Sequence, residues 1–133
     1  VIVVDTTVWI EFLESRGTAF DRHLGELLEA DAPIALVDIV YLEVLQGIRD
    51  EAIWQQTRAS LRAHPILQPR GLDTVETAAN LYRTGRRRGL TIRRSVDCLI
   101  AATCLESSAE LYHNDRDFDT LARISALMIY RPS

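Results

Sequence analysis

The sequence predicts an α/β fold in which a mainly parallel sheet is covered by helices on both faces. Short apolar runs rich in β-branched residues recur between longer segments of helical periodicity. The runs are continuously apolar, as in VIVV and PIALV, which is the pattern of strands buried on both sides. Successive strands separated by whole helices have the crossover length that parallel pairing requires.

Residues 1–5 form the first predicted strand, and helices follow over 6–14 and 18–31 with Gly17 as the break between them. Trp9, Phe12 and Leu13 are expected in the core. A buried strand over 33–37 leads to Asp38, which offers an N-cap for a helix running to about Gly47; Val40, Val44 and Ile48 form its apolar stripe. Another helix covers 51–63, and HPILQ at 64–68 reads as a weaker strand. Asp73 is placed to cap a long helix through Tyr82 to about Arg88, ended by Gly89. The TI pair at 91–92 stands where a strand would lead into the next helix, which Ser95 caps and which carries Asp97. A strand over 109–113, a short helix over 116–123 and a last strand over 127–130 complete the alternation. No internal repeat, linker or low-complexity segment interrupts it.

A chain of 133 residues suffices for one core and is too short for two ordinary domains, so residues 1–133 are expected to form a single domain. With 47% hydrophobic and 26% charged residues the composition is globular, which excludes intrinsic disorder. No apolar stretch approaches the roughly 20 residues of a membrane span, and VIVVDTTVW lacks the basic region of a signal peptide. The expected compartment is the cytoplasm, with no membrane partner. Cys98 and Cys104 are six apart on one predicted helix, so their side chains diverge and two buried thiols are expected. No zinc-ligand spacing occurs. Of the scattered His23, His64 and His113, only the last adjoins acidic residues, and it reads as structural.

All fifteen basic residues are arginine. Without lysine the chain cannot be a P-loop nucleotide binder, a Schiff-base enzyme, or one of the receivers and phosphatases that steady a phosphoryl group with lysine.

Acidic residues stand at four places beside apolar runs: Asp5, Glu43, Asp97, and Asp115 with Asp117. Asp5 ends the first strand and Asp115 follows the 109–113 strand, so in a parallel sheet both lie at the carboxyl edge, where ligands bind. Each acid also has a plain structural reading. Asp97 could serve the helix macrodipole, Asp115 could be an N-cap, and Glu43 could be a surface residue. Asp5 is the hardest to dismiss, because a carboxylate ending a buried strand is desolvated and needs a partner. Carboxylates brought together repel unless a cation lies among them, and a divalent metal is the natural candidate. Thr6 and Thr7 are either helix caps or hydroxyls that orient Asp5 and its water. The net charge of −4 argues against a nucleic-acid partner until the metal-site acids are set aside, after which the remaining charge is nearly balanced. Arg86, Arg87 and Arg88, and then Arg93 and Arg94, are either solvated helix ends or phosphate contacts.

Taken together, D-T-T-x-W at Asp5, E-x-x-x-G at Glu43 and Gly47, R-S-V-D-C-L-I-A-A at Asp97 and N-D-R-D-F at Asp115 and Asp117 resemble PIN-domain ribonucleases, and among them the VapC toxins of bacterial toxin–antitoxin pairs. The motifs run over almost the whole chain, in the family's order and approximate spacing. The resemblance implies a PIN-like three-layer α/β/α sandwich with a mainly parallel central sheet. It implies that Asp5, Glu43, Asp97 and Asp115 are catalytic and that they, together with Asp117, hold Mg²⁺ or Mn²⁺. Thr6, Thr7, Arg93 and Arg94 are the candidates for substrate contact.

The implied activity is metal-dependent hydrolysis of RNA phosphodiesters by activated water, leaving a 5′-phosphate and a 3′-hydroxyl. The implied partners are an RNA substrate, a second copy of the chain in a homodimer, and a VapB-type antitoxin through which alone DNA is bound. His113 and Asp38 stand where many relatives have threonine or serine. The alternative is a PIN-like module that binds RNA or protein without cutting, against which the presence of all four motif acids counts. A non-nuclease α/β binding module would need all four acid positions to be coincidental.

Overall fold

A computed structural model describes all 133 residues. Five parallel strands form one sheet in the order β3-β2-β1-β4-β5, comprising β1 (Ile2–Val4), β2 (Ile34–Val37), β3 (Ile66–Leu67), β4 (Glu110–Tyr112) and β5 (Met128–Ile129). Burial explains the order. Every residue of β2 is buried and β1 is nearly so, whereas the short β3 and β5 are only partly covered, as edge strands are.

Seven helices fill the crossovers: α1 (Thr6–Leu13), α2 (Ala19–Glu29), α3 (Asp38–Gln46), α4 (Glu51–Arg62), α5 (Leu72–Arg87), α6 (Ser95–Glu106) and α7 (Arg116–Arg123). From β1 the chain moves outward through β2 to β3 and then returns past β1 to β4 and β5. Right-handed crossovers therefore place α1–α4 on one face and α5–α7 on the other. The packing agrees, since α1 touches α2 and α3 while α6 touches α5 and α7. The result is the expected three-layer α/β/α sandwich.

The strands predicted over 1–5, 33–37, 64–68, 109–113 and 127–130 are present, each shortened to the residues that find a ladder partner. Three caps differ from expectation. Asp38, Asp73 and Ser95 lie inside the first turns of α3, α5 and α6, and the cap positions are Val37, Gly71 and Arg94, none making a side-chain cap bond. Asp38 instead accepts from the neighbouring Ile39 N–H. Ile48 lies beyond α3, and Leu13, on the outer side of α1, is exposed rather than in the core.

Residues 91–92 form no strand. The start of α6 reaches the carboxyl rim by another route. Arg70 and Thr74 at the beginning of α5 bond Glu106 at the end of α6, so the two helices run antiparallel and the turn at 88–94 lies at their opposite end. Gly89, at φ +70°, makes that turn. Its N–H bonds the Arg86 carbonyl at 3.1 Å and the Leu90 N–H bonds the Gly85 carbonyl at 2.8 Å, which is the Schellman arrangement at a helix C-terminus. Cys98 and Cys104 are buried free thiols, as expected. No helix is long and apolar enough to cross a membrane.

Candidate active site

β1 lies between β2, to which the chain leads outward, and β4, to which it returns. The carboxyl edge between β1 and β4 is thus the topological switch point of the sheet, where loops diverge and leave a crevice. Asp5 follows β1, and its N–H continues the ladder to the Tyr112 carbonyl of β4 at 2.9 Å. Asp5 also caps α1. Its Oδ2 accepts from the Thr7 N–H at 3.2 Å and from the Thr7 hydroxyl at 2.8 Å. Thr7 Oγ1 accepts in turn from the Asn114 N–H at 2.9 Å, so one hydroxyl ties the two loops of the switch point together. Burial pushes the Asp5 carboxyl up to about 6 against the opposing pull of the Thr7 bonds.

Asp115 caps α7 by accepting from the Asp117 N–H at 2.9 Å. Asp97, in the first turn of α6, completes a group in which one carboxylate oxygen each of Asp97, Asp115 and Asp117 lie within 4.8 Å of one another. Two arginines lie against these acids. Arg93 Nε donates to Asp117 Oδ2 at 2.9 Å and its Nη2 to Asp115 Oδ1 at 2.8 Å. Arg94 donates through Nη1 to Glu43 Oε2 at 2.9 Å and through Nη2 to Asp97 Oδ1 at 2.8 Å, bridging α3 and α6. The other oxygen of Asp97, Oδ2, is buried and has no hydrogen-bond partner. Burial raises the Asp97 carboxyl above its ordinary range although the Arg94 bond and charge oppose it. Burial works against the charge of Arg94, and the bonds to Asp97 and Glu43 more than restore it. Arg93 is likewise held charged, chiefly by its bond to Asp117.

The structure therefore gathers Asp97, Asp115 and Asp117 into one tight group. Glu43 is joined to it through Arg94, and Asp5 lies beside it, within the field of Asp97. Thr6 donates to Glu43 Oε1 at 2.8 Å, so both threonines orient acids. Arg93 and Arg94 turn toward the acids, while Arg86 and Arg87 lie in the last turn of α5, with Arg86 over the Tyr82 ring. His113 is buried, and burial lowers its pKa and favours the neutral ring. Its Nδ1 accepts from the Asp115 N–H at 3.0 Å, a contact that steadies the loop.

Two supporting residues escape the sequence reading. Asn114 Nδ2 donates to Glu11 Oε2 at 2.7 Å, and Glu11 is buried. Glu11 is four residues after Thr7 and so on the same helix face, which is the signal that could have identified it.

A group of three acids, two of them buried, with one orphaned oxygen has the donor set of a hard divalent cation, since carboxylate oxygens are its preferred ligands and a partnerless buried oxygen is costly. Fold and site together define a protein of the parallel α/β/α class with a carboxylate centre at the sheet's switch point. The PIN domain model matches residues 2–124. Ribonuclease VapC11 of Mycobacterium tuberculosis is 33% identical over 127 residues, 95% of each chain. Among solved structures, VapBC2 from Rickettsia felis bound to a DNA fragment from its promoter superposes with a TM-score of 0.75 at 21% identity, covering 97% of this chain and 96% of that one. A toxin–antitoxin complex from Klebsiella pneumoniae gives 0.71 at 25% identity, covering 89% and 90%. The chain belongs to the PIN domain family, and within it to the VapC ribonucleases.

Proposed function

We propose that the protein is a divalent-metal-dependent endoribonuclease and the toxin of a VapBC-type toxin–antitoxin pair. The observation that carries the reading is the group of Asp97, Asp115 and Asp117 at the switch point, flanked by Asp5 and Glu43. Asp97, Asp115 and Asp117, together with Asp5 and Glu43 from the other side of the crevice, would hold Mg²⁺ or Mn²⁺. A bound divalent cation supplies activation of water and stabilisation of the charge developing on the phosphodiester. The chain's own residues prepare the site for it. Thr7 fixes the Asp5 carboxylate, Thr6 fixes that of Glu43, and the α7 cap holds Asp115 and Asp117 side by side. Arg93 and Arg94 bring the only positive charge paired with these acids, within reach of an RNA phosphate that enters the site.

An antitoxin partner is supported by the toxin–antitoxin complexes among the structural relatives. A groove of about 280 Å³ lined by Ile10, Leu13, Val44, Ile48 and Ile53 opens beside Glu43, suited to an apolar segment of such a partner. Exposed Leu72 and Val75 on α5 support association into a homodimer.

The test is incubation of purified, antitoxin-free protein with total RNA in Mg²⁺, in Mn²⁺ and in EDTA, with Asp97→Asn alongside. Discrete fragments formed only with metal and missing from the variant are expected. Intact RNA with the wild-type protein in every condition would transfer the reading to a PIN module that binds without cutting. Full activity of Asp97→Asn would remove that residue from the metal site.

A further inference from the structure

We infer that Arg94 is an internal counter-cation that competes with a divalent ion for Glu43 and Asp97, and must release them when the ion binds, so that it sets the metal affinity of the site. The inference rests on the nuclease reading of these acids.

The geometry is specific. The guanidinium reaches one oxygen of Glu43 at 2.9 Å and one of Asp97 at 2.8 Å, through two different nitrogens. Those acids come from opposite faces of the sheet, Glu43 on α3 and Asp97 on α6, so a single planar fork spans the crevice. The Arg94 side chain is half exposed while that of Asp97 is almost fully buried. The arginine is therefore a removable plug held from the solvent side, and the acid is part of the fixed wall. Asp97 belongs to the three-acid group, and its second oxygen has no partner. The guanidinium thus binds one oxygen of Asp97 and shares its single charge with Glu43, while the other Asp97 oxygen stays buried without a partner.

Arg93 makes the contrast. Its backbone N–H also bonds Asp117, at 3.2 Å, so it is anchored to α7 by main chain as well as side chain. The main chain of Arg94 caps α6, its carbonyl accepting from the Asp97 N–H at 3.2 Å, but its backbone N–H bonds no carboxylate, and its side chain is the one that joins the two faces of the site.

Two cations cannot both take the same carboxylate oxygens at full strength, because each repels the other across a few ångströms. Metal binding then requires Arg94 to swing out, and the intrinsic affinity is diminished by the free energy of the contacts it gives up. Once released, the guanidinium faces the solvent side, where phosphate would approach. A lysine at this position would carry the same charge without the fork, and would hold one acid at a time.

The test is Mn²⁺ binding measured calorimetrically at pH 8, without RNA, for wild type, Arg94→Gln and Arg94→Lys, with folding verified by circular dichroism. Arg94→Gln should bind Mn²⁺ about tenfold more tightly, the scale set by losing a charge-assisted contact that the ion must otherwise displace. Arg94→Lys should fall between the two. The same variant should lower the melting temperature in EDTA and enlarge the rise caused by Mn²⁺, a pairing that loss of a plain structural contact would not give. Equal or weaker binding by folded Arg94→Gln would overturn the inference while leaving the nuclease reading intact. Absence of Mn²⁺ binding in all three proteins would overturn both.

Discussion

Asp5 shows how much a single residue can reveal. Its strand, β1, is central and buried, so the carboxyl that ends it is desolvated, and this raises its pKa from 3.8 to about 6. Between those values the folded protein keeps a proton that the unfolded chain releases. Stability from this residue is therefore highest at low pH, falls as pH rises from about 4 to about 6, and is lower by about 3 kcal/mol once both states are ionised. Asp97 is shifted in the same direction by burial and adds to the slope. Urea unfolding in EDTA at a series of pH values should show Asp5→Asn, which cannot titrate, gaining on the wild type across that interval. A difference between the two proteins that does not change with pH would mean that Asp5 is solvated and ordinary. The special state of Asp5 was legible in the sequence, because an acid at the end of a continuously apolar run has few other fates. Its partner was legible only as an alternative, since Thr7 could equally have capped α1 with its own hydroxyl.

At the scale of elements, the turn between α5 and α6 decides where the arginines fall. Gly85 lies so close to Ile92 that a Cβ there would meet Ile92 Cδ1 at 2.8 Å, and the left-handed Gly89 reverses the chain just beyond. These two glycines bring residues 93–94 back over the carboxyl rim. Gly89→Ala would place a Cβ in the left-handed region at a cost of about 1–2 kcal/mol, visible as a lower midpoint in urea with an unchanged m-value. A neutral substitution would mean that the turn relaxes into another conformation. The sequence identified this glycine as a helix stop, and it marked every strand, because continuous apolar runs and breakers are local signals. It misplaced the caps of α3, α5 and α6 by one or two residues, since any polar residue near a helix start offers a plausible cap and only backbone geometry selects one. Neither could it show that Arg94 joins Glu43 to Asp97. That contact links residues 51 apart and exists only because α5 and α6 form an antiparallel pair.

For the whole molecule, the site is where both helical layers and the sheet meet. Asp5, the cap of α1, and Glu43 on α3 come from one face, α6 and α7 with its cap supply Asp97, Asp115 and Asp117 from the other, and β1 and β4 fix the crevice between them. Those layers are joined at the rim by Arg94 and by the Thr7 bridge. An ion bound by acids from more than one layer would add a crosslink that the unfolded chain cannot make. Ligand binding to the folded state alone stabilises it by RT ln(1 + [L]/Kd), about 2.7 kcal/mol at a hundredfold excess over Kd. Mn²⁺ at that excess should therefore raise the unfolding free energy by about that amount in a single cooperative transition, because the crosslinked layers share one continuous core. Asp97→Asn, which removes a charge at nearly constant volume, should retain the fold and lose most of the Mn²⁺ increment. An increment of the same size in the variant would place the ion elsewhere on the protein. A second transition, appearing only with metal, would mean that the ion holds one layer alone and that the acids do not act as one centre.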